Sequence, residues 1–157
     1  MNKRGLKVYI LHSRKTNYNE NLYLPLLRSR VLANHTLVLS TSEKLKDTYY
    51  KTLIDEADLV VAELSHPDMG FNMELKEAIV SKKPILPLAN KEIGYDDKYN
   101  KLLKNIVGYN DTNELVYFVE TFVNQYSDKI NEGKVDPTVV LGVLNFDNVP
   151  KEENQEQ

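Results

Sequence analysis

The residues Ala57 to Ile79, ADLVVAELSHPDMGFNMELKEAI, decide the fold of this chain. The segment Asp58 to Leu64 is mostly apolar, which is typical of a buried strand. A short polar loop, Ser65 to Asp68, follows it, and the pattern then changes to that of a helix beginning near Met69 or Gly70. A buried strand that enters a helix through a short loop is half of a βαβ unit. The stretch therefore predicts a parallel α/β sheet.

The rest of the chain repeats this alternation of strands and helices. The predicted strands are Lys7 to Leu11, Thr36 to Ser40, Asp58 to Leu64, Pro84 to Leu88 and Asn105 to Tyr109. The other predicted helices are Leu22 to Ala33, Glu43 to Glu56, a short one around Tyr99 to Leu103, and one from Asp111 to about Ile130. This order predicts a flavodoxin-like or Rossmann-like five-stranded parallel sheet with helices on both faces and the strand order 2-1-3-4-5.

Length and composition predict a single domain. The chain has 157 residues, of which 41% are hydrophobic, enough for one substantial core. We assign residues 1–149 to this domain and expect the polar, charged residues 150–157 to be a disordered tail. The apolar segment Thr138 to Phe146 comes after the sheet is complete, so it adds an edge strand or covers a partner subunit.

Charge and residue types exclude several classes of protein. The formal net charge of −3 gives no electrostatic basis for binding nucleic acid. The chain has no cysteine and three histidines, which excludes disulfides and gives no metal-ligand cluster, so we expect neither a metal nor a cofactor. No apolar segment has the length of a membrane span. We expect a cytoplasmic protein without a membrane partner.

Polar residues of the central stretch are candidates for a functional site. Ligands of open α/β sheets lie outside the carboxyl ends of the strands, where His66, Asp68 and Glu74 are expected. Glu74 lies near the positive end of its helix, which favours the ionised form, and a fixed carboxylate can act as a nucleophile. The alternatives are a solvated helix charge for Glu74, a helix N-cap for Asp68 and a solvated loop residue for His66.

This stretch resembles the signature of the nucleoside 2-deoxyribosyltransferase superfamily, which includes 2'-deoxynucleoside 5'-phosphate N-hydrolases. The family pattern is a strand of the form AD, three apolar residues and AE, then a polar loop, then G-x-G-x-E-L at the start of a helix. Here residues 70–75 read GFNMEL, with Asn72 in the place of the second glycine. The match covers about residues 5–13 and 57–88.

The resemblance implies roles for four residues. Glu74 matches the glutamate that attacks C1' of the deoxyribose, and Tyr9 matches a tyrosine that meets this carboxylate. Ser13 matches a serine that touches the 5'-phosphate in the N-hydrolases. Asp68 occupies a position that is aspartate in many transferases and serine in the phosphate-binding hydrolases, and it is the third candidate catalytic residue, contacting the leaving base or the sugar hydroxyls.

Five further residues are considered for substrate binding: His12, Asp47, His66, Gly70 and Met73. His12 stands where the family usually has a small residue, and Gly70 and Met73 belong to the matched motif. The family's acidic residue eight positions before Asp58 is replaced here by Tyr50, and Asp47, three residues earlier on the same predicted helical face, is a possible substitute. Asp47 as a plain surface charge remains an equal alternative.

The resemblance implies an enzyme that cleaves the N-glycosidic bond of 2'-deoxynucleosides through a covalent deoxyribosyl-glutamate and transfers the sugar to another base. Its partners would be a nucleoside or nucleotide, a free nucleobase and further copies of the chain in a homodimer or larger oligomer. The negative charge of Asp68 favours nucleosides, whereas Ser13 and Arg14 favour a 5'-monophosphate hydrolase. A non-catalytic nucleotide-binding module on the same fold is the third alternative.

Overall fold

Five strands alternate with helices in the computed structural model, which describes residues 4–131. The strands are β1 (Lys7–Leu11), β2 (Thr36–Val38), β3 (Leu59–Glu63), β4 (Ile85–Asn90) and β5 (Val107–Tyr109). The helices are α1 (Leu24–Leu27), α2 (Tyr50–Glu56), α3 (Met69–Val80), α4 (Tyr99–Leu102) and α5 (Thr112–Asn131). A π-helical turn, Asn19–Tyr23, precedes α1, and a 3₁₀ turn, Leu32–Asn34, precedes β2.

The strands form one parallel sheet in the order β2-β1-β3-β4-β5, which confirms the predicted fold class and strand order. In the register, Tyr9 of β1 lies beside Val60 of β3, and Asn90 of β4 lies beside Tyr109 of β5. Residues paired across parallel strands point to the same face, and successive residues of one strand alternate between faces. Glu63, three residues after Val60, therefore points to the opposite face from Tyr9.

Helices cover both faces of this sheet. α1 packs against α5 on one face, and α2 packs against α3 on the other. The apolar stripe predicted for α5 is buried, and it consists of Leu115, Phe118, Val119, Phe122 and Val123. No helix within residues 4–131 combines the length and the apolar character that crossing a bilayer requires.

The predicted first helix, Leu22 to Ala33, is wrong in its second half, because α1 ends at Leu27. Ser29 explains the interruption. Its hydroxyl accepts the Leu32 N–H at 3.1 Å and donates to Glu120 of α5 at 2.6 Å. A side chain that bonds its own backbone and a neighbouring helix competes with continuation of the helix.

The predicted second helix, Glu43 to Glu56, is wrong in its first half, because only Tyr50–Glu56 is helical. The residues before it form successive turns, in which Leu45 N–H bonds Ser42 and Thr48 N–H bonds Leu45. Of the apolar side chains in residues 43–49, Leu45 packs against the core but Tyr49 is largely exposed. A short helix that buries so little apolar surface is marginal in water. Asp47 is exposed within these turns, so the shared helical face that linked it to Tyr50 does not exist.

Strand ends differ from the predictions by one or two residues. β5 begins at Val107 instead of Asn105, since Asn105 has a φ of 60°, a left-handed conformation that no strand accommodates. β4 extends to Asn90 because that residue pairs with Tyr109. The segment Thr138 to Phe146 and the tail 150–157 lie outside the described residues, and the predicted oligomer stays a prediction.

Candidate active site

Tyr9 and Glu74 meet at the carboxyl edge of the sheet, 65 residues apart in sequence. Tyr9 is fully buried in β1, and its hydroxyl donates a hydrogen bond of 2.6 Å to Glu74 Oε1. Glu74 lies in the second turn of α3 and is half-buried beside the stripe of Phe71 and Leu75, which packs into the core. The structure therefore brings together the two residues that the sequence paired.

The environment of Glu74 opposes its ionisation, contrary to the expectation from its place near the positive end of the helix. Burial is the largest cause, and it raises the pKa of the Glu74 carboxyl above its ordinary value. The nearby charge of Asp68 also raises this pKa, whereas the Tyr9 hydrogen bond and the charge of Arg14 lower it. The burial of a carboxylate at this cost is typical of functional sites.

Glu74→Gln is expected to raise the melting temperature at neutral pH. The raised pKa means that the folded state resists ionisation more than the unfolded chain does, so stability falls as the pH rises through the interval above the ordinary glutamate pKa. The amide keeps an oxygen for Tyr9 but carries no charge. In a domain of this size, each increase of about 1 kcal/mol in the free energy of unfolding raises the melting temperature by roughly 2–4 °C. Calorimetry at several pH values would test this, and a gain that grows at acidic pH would contradict it.

Asp68 is the N-cap of α3, which was the structural alternative to a substrate contact for this residue. Its Oδ1 accepts the Phe71 N–H at 2.7 Å, and its Oδ2 accepts the Arg14 N–H at 3.4 Å. The first bond satisfies a donor that the helix leaves free, and the second ties the start of α3 to the loop after β1. The Asp68 charge is close enough to Glu74 to act on its pKa.

His12 is a buried structural residue in this arrangement. One ring nitrogen, Nδ1, lies 2.8 Å from the Ser13 carbonyl, which can only accept, so Nδ1 carries the proton. The other, Nε2, is bonded to the Tyr23 hydroxyl, and the ring stacks on Tyr18 at 4.5 Å between centroids. Burial lowers the pKa of His12, which favours the neutral ring. Both nitrogens are engaged, so His12 shapes the loop instead of offering a free ligand.

Ser13 is also buried, and its hydroxyl accepts the Lys15 N–H at 2.9 Å. The other predicted substrate-binding residues do not join the pair of Tyr9 and Glu74 in any hydrogen bond of the described chain. Four of them are exposed: Asp47, His66, Gly70 and Met73.

Asn72, which replaces the second glycine of the family motif, has a specific partner. The Tyr99 hydroxyl donates to Asn72 Oδ1 at 2.6 Å, and the Tyr99 ring meets Phe71 edge-on. Tyr99 is fully buried in α4. A glycine would leave the Tyr99 hydroxyl without this acceptor, so Asn72 anchors α4 to the start of α3.

A second buried carboxylate, Glu63, lies on the opposite face of the sheet. Its oxygens accept the Ser65 N–H at 3.0 Å, the Ser65 hydroxyl at 2.6 Å and the Tyr109 hydroxyl at 2.7 Å. Burial first, and then the charge of Glu63, raise the pKa of Tyr109. The local sequence around Glu63 gives no sign of Tyr109, because that partner is 46 residues away on β5.

The fold and the carboxylate–tyrosine pair define an α/β protein with a candidate active site at the carboxyl edge of a parallel sheet. Among residues 4–131, no group of three histidine, aspartate or glutamate side chains could hold a metal ion. No family model matches the chain. A search of curated proteins also finds no match.

A solved structure supports the fold assignment. It is that of Clostridium botulinum CMP N-glycosidase BcmB, which is 20% identical in sequence to this chain. The similarity covers 73% of this chain and 98% of that one, with a TM-score of 0.52. At this identity the likeness establishes a common fold.

Proposed function

We propose that this chain cleaves the N-glycosidic bond of 2'-deoxynucleosides, with Glu74 as the nucleophile, and transfers the deoxyribose to another base. The observation that carries this proposal is the 2.6 Å hydrogen bond between the Tyr9 hydroxyl and Glu74 Oε1. It holds a carboxylate of raised pKa in one orientation at the edge where such sheets bind ligands. The fold shared with a CMP N-glycosidase supports it as well.

In the first step, Glu74 attacks C1' of the sugar. The bond from C1' to the base nitrogen breaks, its electron pair goes to the leaving base, which takes up a proton from solvent water, and a deoxyribosyl ester of Glu74 remains. Since Tyr9 occupies Oε1 and no described residue bonds Oε2, Oε2 is the attacking oxygen. An anion against C1' also stabilises the positive charge that develops there.

In the second step, a nitrogen of an acceptor base attacks C1', the bond from C1' to Glu74 breaks to release the carboxylate, and the proton of the acceptor nitrogen goes to solvent water. Water in place of the base would give hydrolysis. The Tyr9 hydroxyl stabilises the departing carboxylate, because a hydrogen bond to a charged acceptor is stronger than one to an ester. The buried position of Tyr9 keeps this donor fixed through both steps.

Asp68 supports a preference for unphosphorylated substrates. Its carboxylate accepts two backbone N–H groups and points toward the loop after β1, the region where a 5'-phosphate would be bound. A carboxylate in that place accepts hydrogen bonds from sugar hydroxyls and repels a phosphate. Ser13 does not offset this repulsion readily, since its side chain is buried.

Cleavage of nucleoside 5'-monophosphates is the second candidate. It is favoured by the fold shared with an enzyme named for its action on CMP, and by the charge of Arg14, which acts on Glu74. Arg14 is exposed, so its guanidinium group can bind the phosphate of a substrate that enters from solvent.

The test is a product analysis with purified protein. Deoxynucleosides, ribonucleosides and both kinds of 5'-monophosphate are incubated with and without a free acceptor base, and the products are separated. A new nucleoside that forms only with the acceptor supports transfer, whereas free base and sugar without an acceptor indicate hydrolysis. Binding without turnover of any substrate would replace the proposal with a non-catalytic module.

Tyr9→Phe is expected to move the acid limb of the pH profile of kcat/KM to higher pH. The reaction needs ionised Glu74, and the Tyr9 hydrogen bond lowers the Glu74 pKa, so its removal raises that pKa further. Because the ring fills the same space, the fold is kept, and we expect a loss of about 10–100-fold at neutral pH. An acid limb at an unchanged pH would show that Tyr9 does not tune Glu74.

A further inference from the structure

A cleft of about 340 Å³ opens on the face of the sheet opposite to Tyr9 and Glu74. Its walls come from the loops after β1 and β3 and from the ends of β4 and β5, so it lies at the topological switch point of the sheet, where this fold class binds ligands. The volume is at the lower end of the range of about 300–1,000 Å³ for small-molecule pockets. The mechanism proposed for Glu74 does not use it.

Glu63 is the buried charged group of this cleft. Only 7% of the residue is exposed. Of its two oxygens, Oε2 accepts two hydroxyl donors, but Oε1 accepts only the Ser65 N–H. No lysine or arginine within residues 4–131 forms an ion pair with it. A carboxylate has about four acceptor positions, so Oε1 can accept a further N–H from a ligand.

Asn90 places a donor beside this acceptor. It pairs with Tyr109 across the sheet and lines the same cleft as Glu63. Its Oδ1 accepts the Glu92 N–H at 2.8 Å, and its NH₂ also bonds the Tyr109 hydroxyl. Because an amide NH₂ has two N–H donors, one of them is left for a ligand. A carboxylate acceptor and an amide donor at one end of a cleft match a ligand whose edge presents an N–H next to an acceptor.

The remaining walls suit a planar ring. Tyr18, Leu22 and Ile93 supply aromatic and apolar surface. Lys15 and His66 are exposed residues at the rim of the cleft. The negative charges of Glu63 and Asp111 disfavour binding of an anion inside it.

We propose that this cleft is a binding site for a free nucleobase, which donates an N–H to Glu63 Oε1, accepts from the Asn90 amide and packs its ring against Tyr18 and Ile93. The base is a ring with adjacent donor and acceptor atoms and no phosphate. The site is separate from the Glu74 site, because Glu63 and Tyr9 point to opposite faces of the sheet. The proposal of a nucleobase site rests on this geometry alone and does not depend on whether the chain cleaves nucleosides.

Methyl NMR on the full chain can distinguish the two sites. The Ile93 methyl reports on the cleft, and the exposed Met73 methyl reports on the α3 face near Glu74. On titration with adenine or cytosine, we expect a saturable shift of Ile93 with a Kd of about 1 mM or tighter for at least one base. N-methylated bases that lack the N–H donor should bind more weakly, and inorganic phosphate should leave Ile93 unchanged.

Variants assign the effect to the cleft. Glu63→Gln should raise the Kd by about tenfold or more, because a hydrogen bond to a charged acceptor is lost. Glu92→Gln is the matched control, since Glu92 is exposed, next to the cleft and outside its lining, and it should bind as the parent does. If Glu63→Gln fails to fold, Asn90→Ala removes the donor and leaves the Glu63 hydrogen bonds in place.

Three outcomes would overturn the proposal. These are the absence of an Ile93 shift with every base, a shift at Met73 alone, and base binding that survives Glu63→Gln or Asn90→Ala in folded protein. Glu74→Gln should retain the Ile93 shift. If the parent protein is inactive but still binds bases at Ile93, the enzymatic proposal is contradicted and the proposed nucleobase site is supported.

Discussion

Glu74→Ala is expected to lower kcat for N-glycosidic cleavage by about four orders of magnitude or more. The substitution removes the attacking oxygen and the anion that stabilises the charge at C1'. The fold should survive, because Glu74 borders the buried stripe of α3 without belonging to it. The measurement is single-turnover cleavage of a deoxynucleoside, with circular dichroism to check the fold.

Glu77→Ala is the matched control for this variant. Glu77 lies on the same helix and also accepts a hydrogen bond, from the Ser81 hydroxyl at 3.0 Å, but it meets Lys51 of α2 instead of Tyr9. Its loss should leave kcat within about twofold, as expected for a partly exposed ion pair. Equal losses of kcat in the two variants would indicate that damage to α3, and not removal of the Glu74 carboxylate, lowers the activity.

Asp68→Ser is expected to change the ratio of kcat/KM for a 5'-monophosphate to that for its nucleoside by roughly a hundredfold in favour of the monophosphate. Two charges about 4 Å apart near a protein surface interact by roughly 4 kcal/mol, of which a partly solvated loop retains a part. Serine remains a good N-cap, so the Phe71 N–H at the start of α3 keeps a partner. Steady-state kinetics on matched pairs, such as deoxyadenosine and its monophosphate, give the ratio.

Two further variants separate charge from capping. Asp68→Asn keeps a capping oxygen and removes the charge, so it should reproduce most of the change. Asp96→Ser removes an exposed aspartate whose Oδ1 accepts the Lys98 N–H before α4, and it should leave the ratio unchanged. A parent protein that already prefers monophosphates would reverse the substrate proposal and favour the hydrolase.

Local sequence patterns determined the architecture. The apolar strands, the loop of residues 65–68 and the stripe on α5 are short-range features, and they predicted five parallel strands, helices on both faces and the correct strand order. Where the predictions fail, at residues 28–33 and 43–49, a tertiary contact or too little buried apolar surface outweighs helix propensity. Ser29 is the clearest case, because its partner Glu120 lies 91 residues away.

The sequence also suggested the candidates for the site. Glu74 follows from its place in a local strand–loop–helix unit, whereas Tyr9 was implied only by the family resemblance. Only the tertiary structure shows that Tyr9 donates to Glu74 and that the ring nitrogens of His12 are already engaged. It alone joins Glu63 to Tyr109 on the opposite face of the sheet. These contacts link residues that are distant in the chain, and they depend on strand register and burial, which no short stretch of sequence encodes.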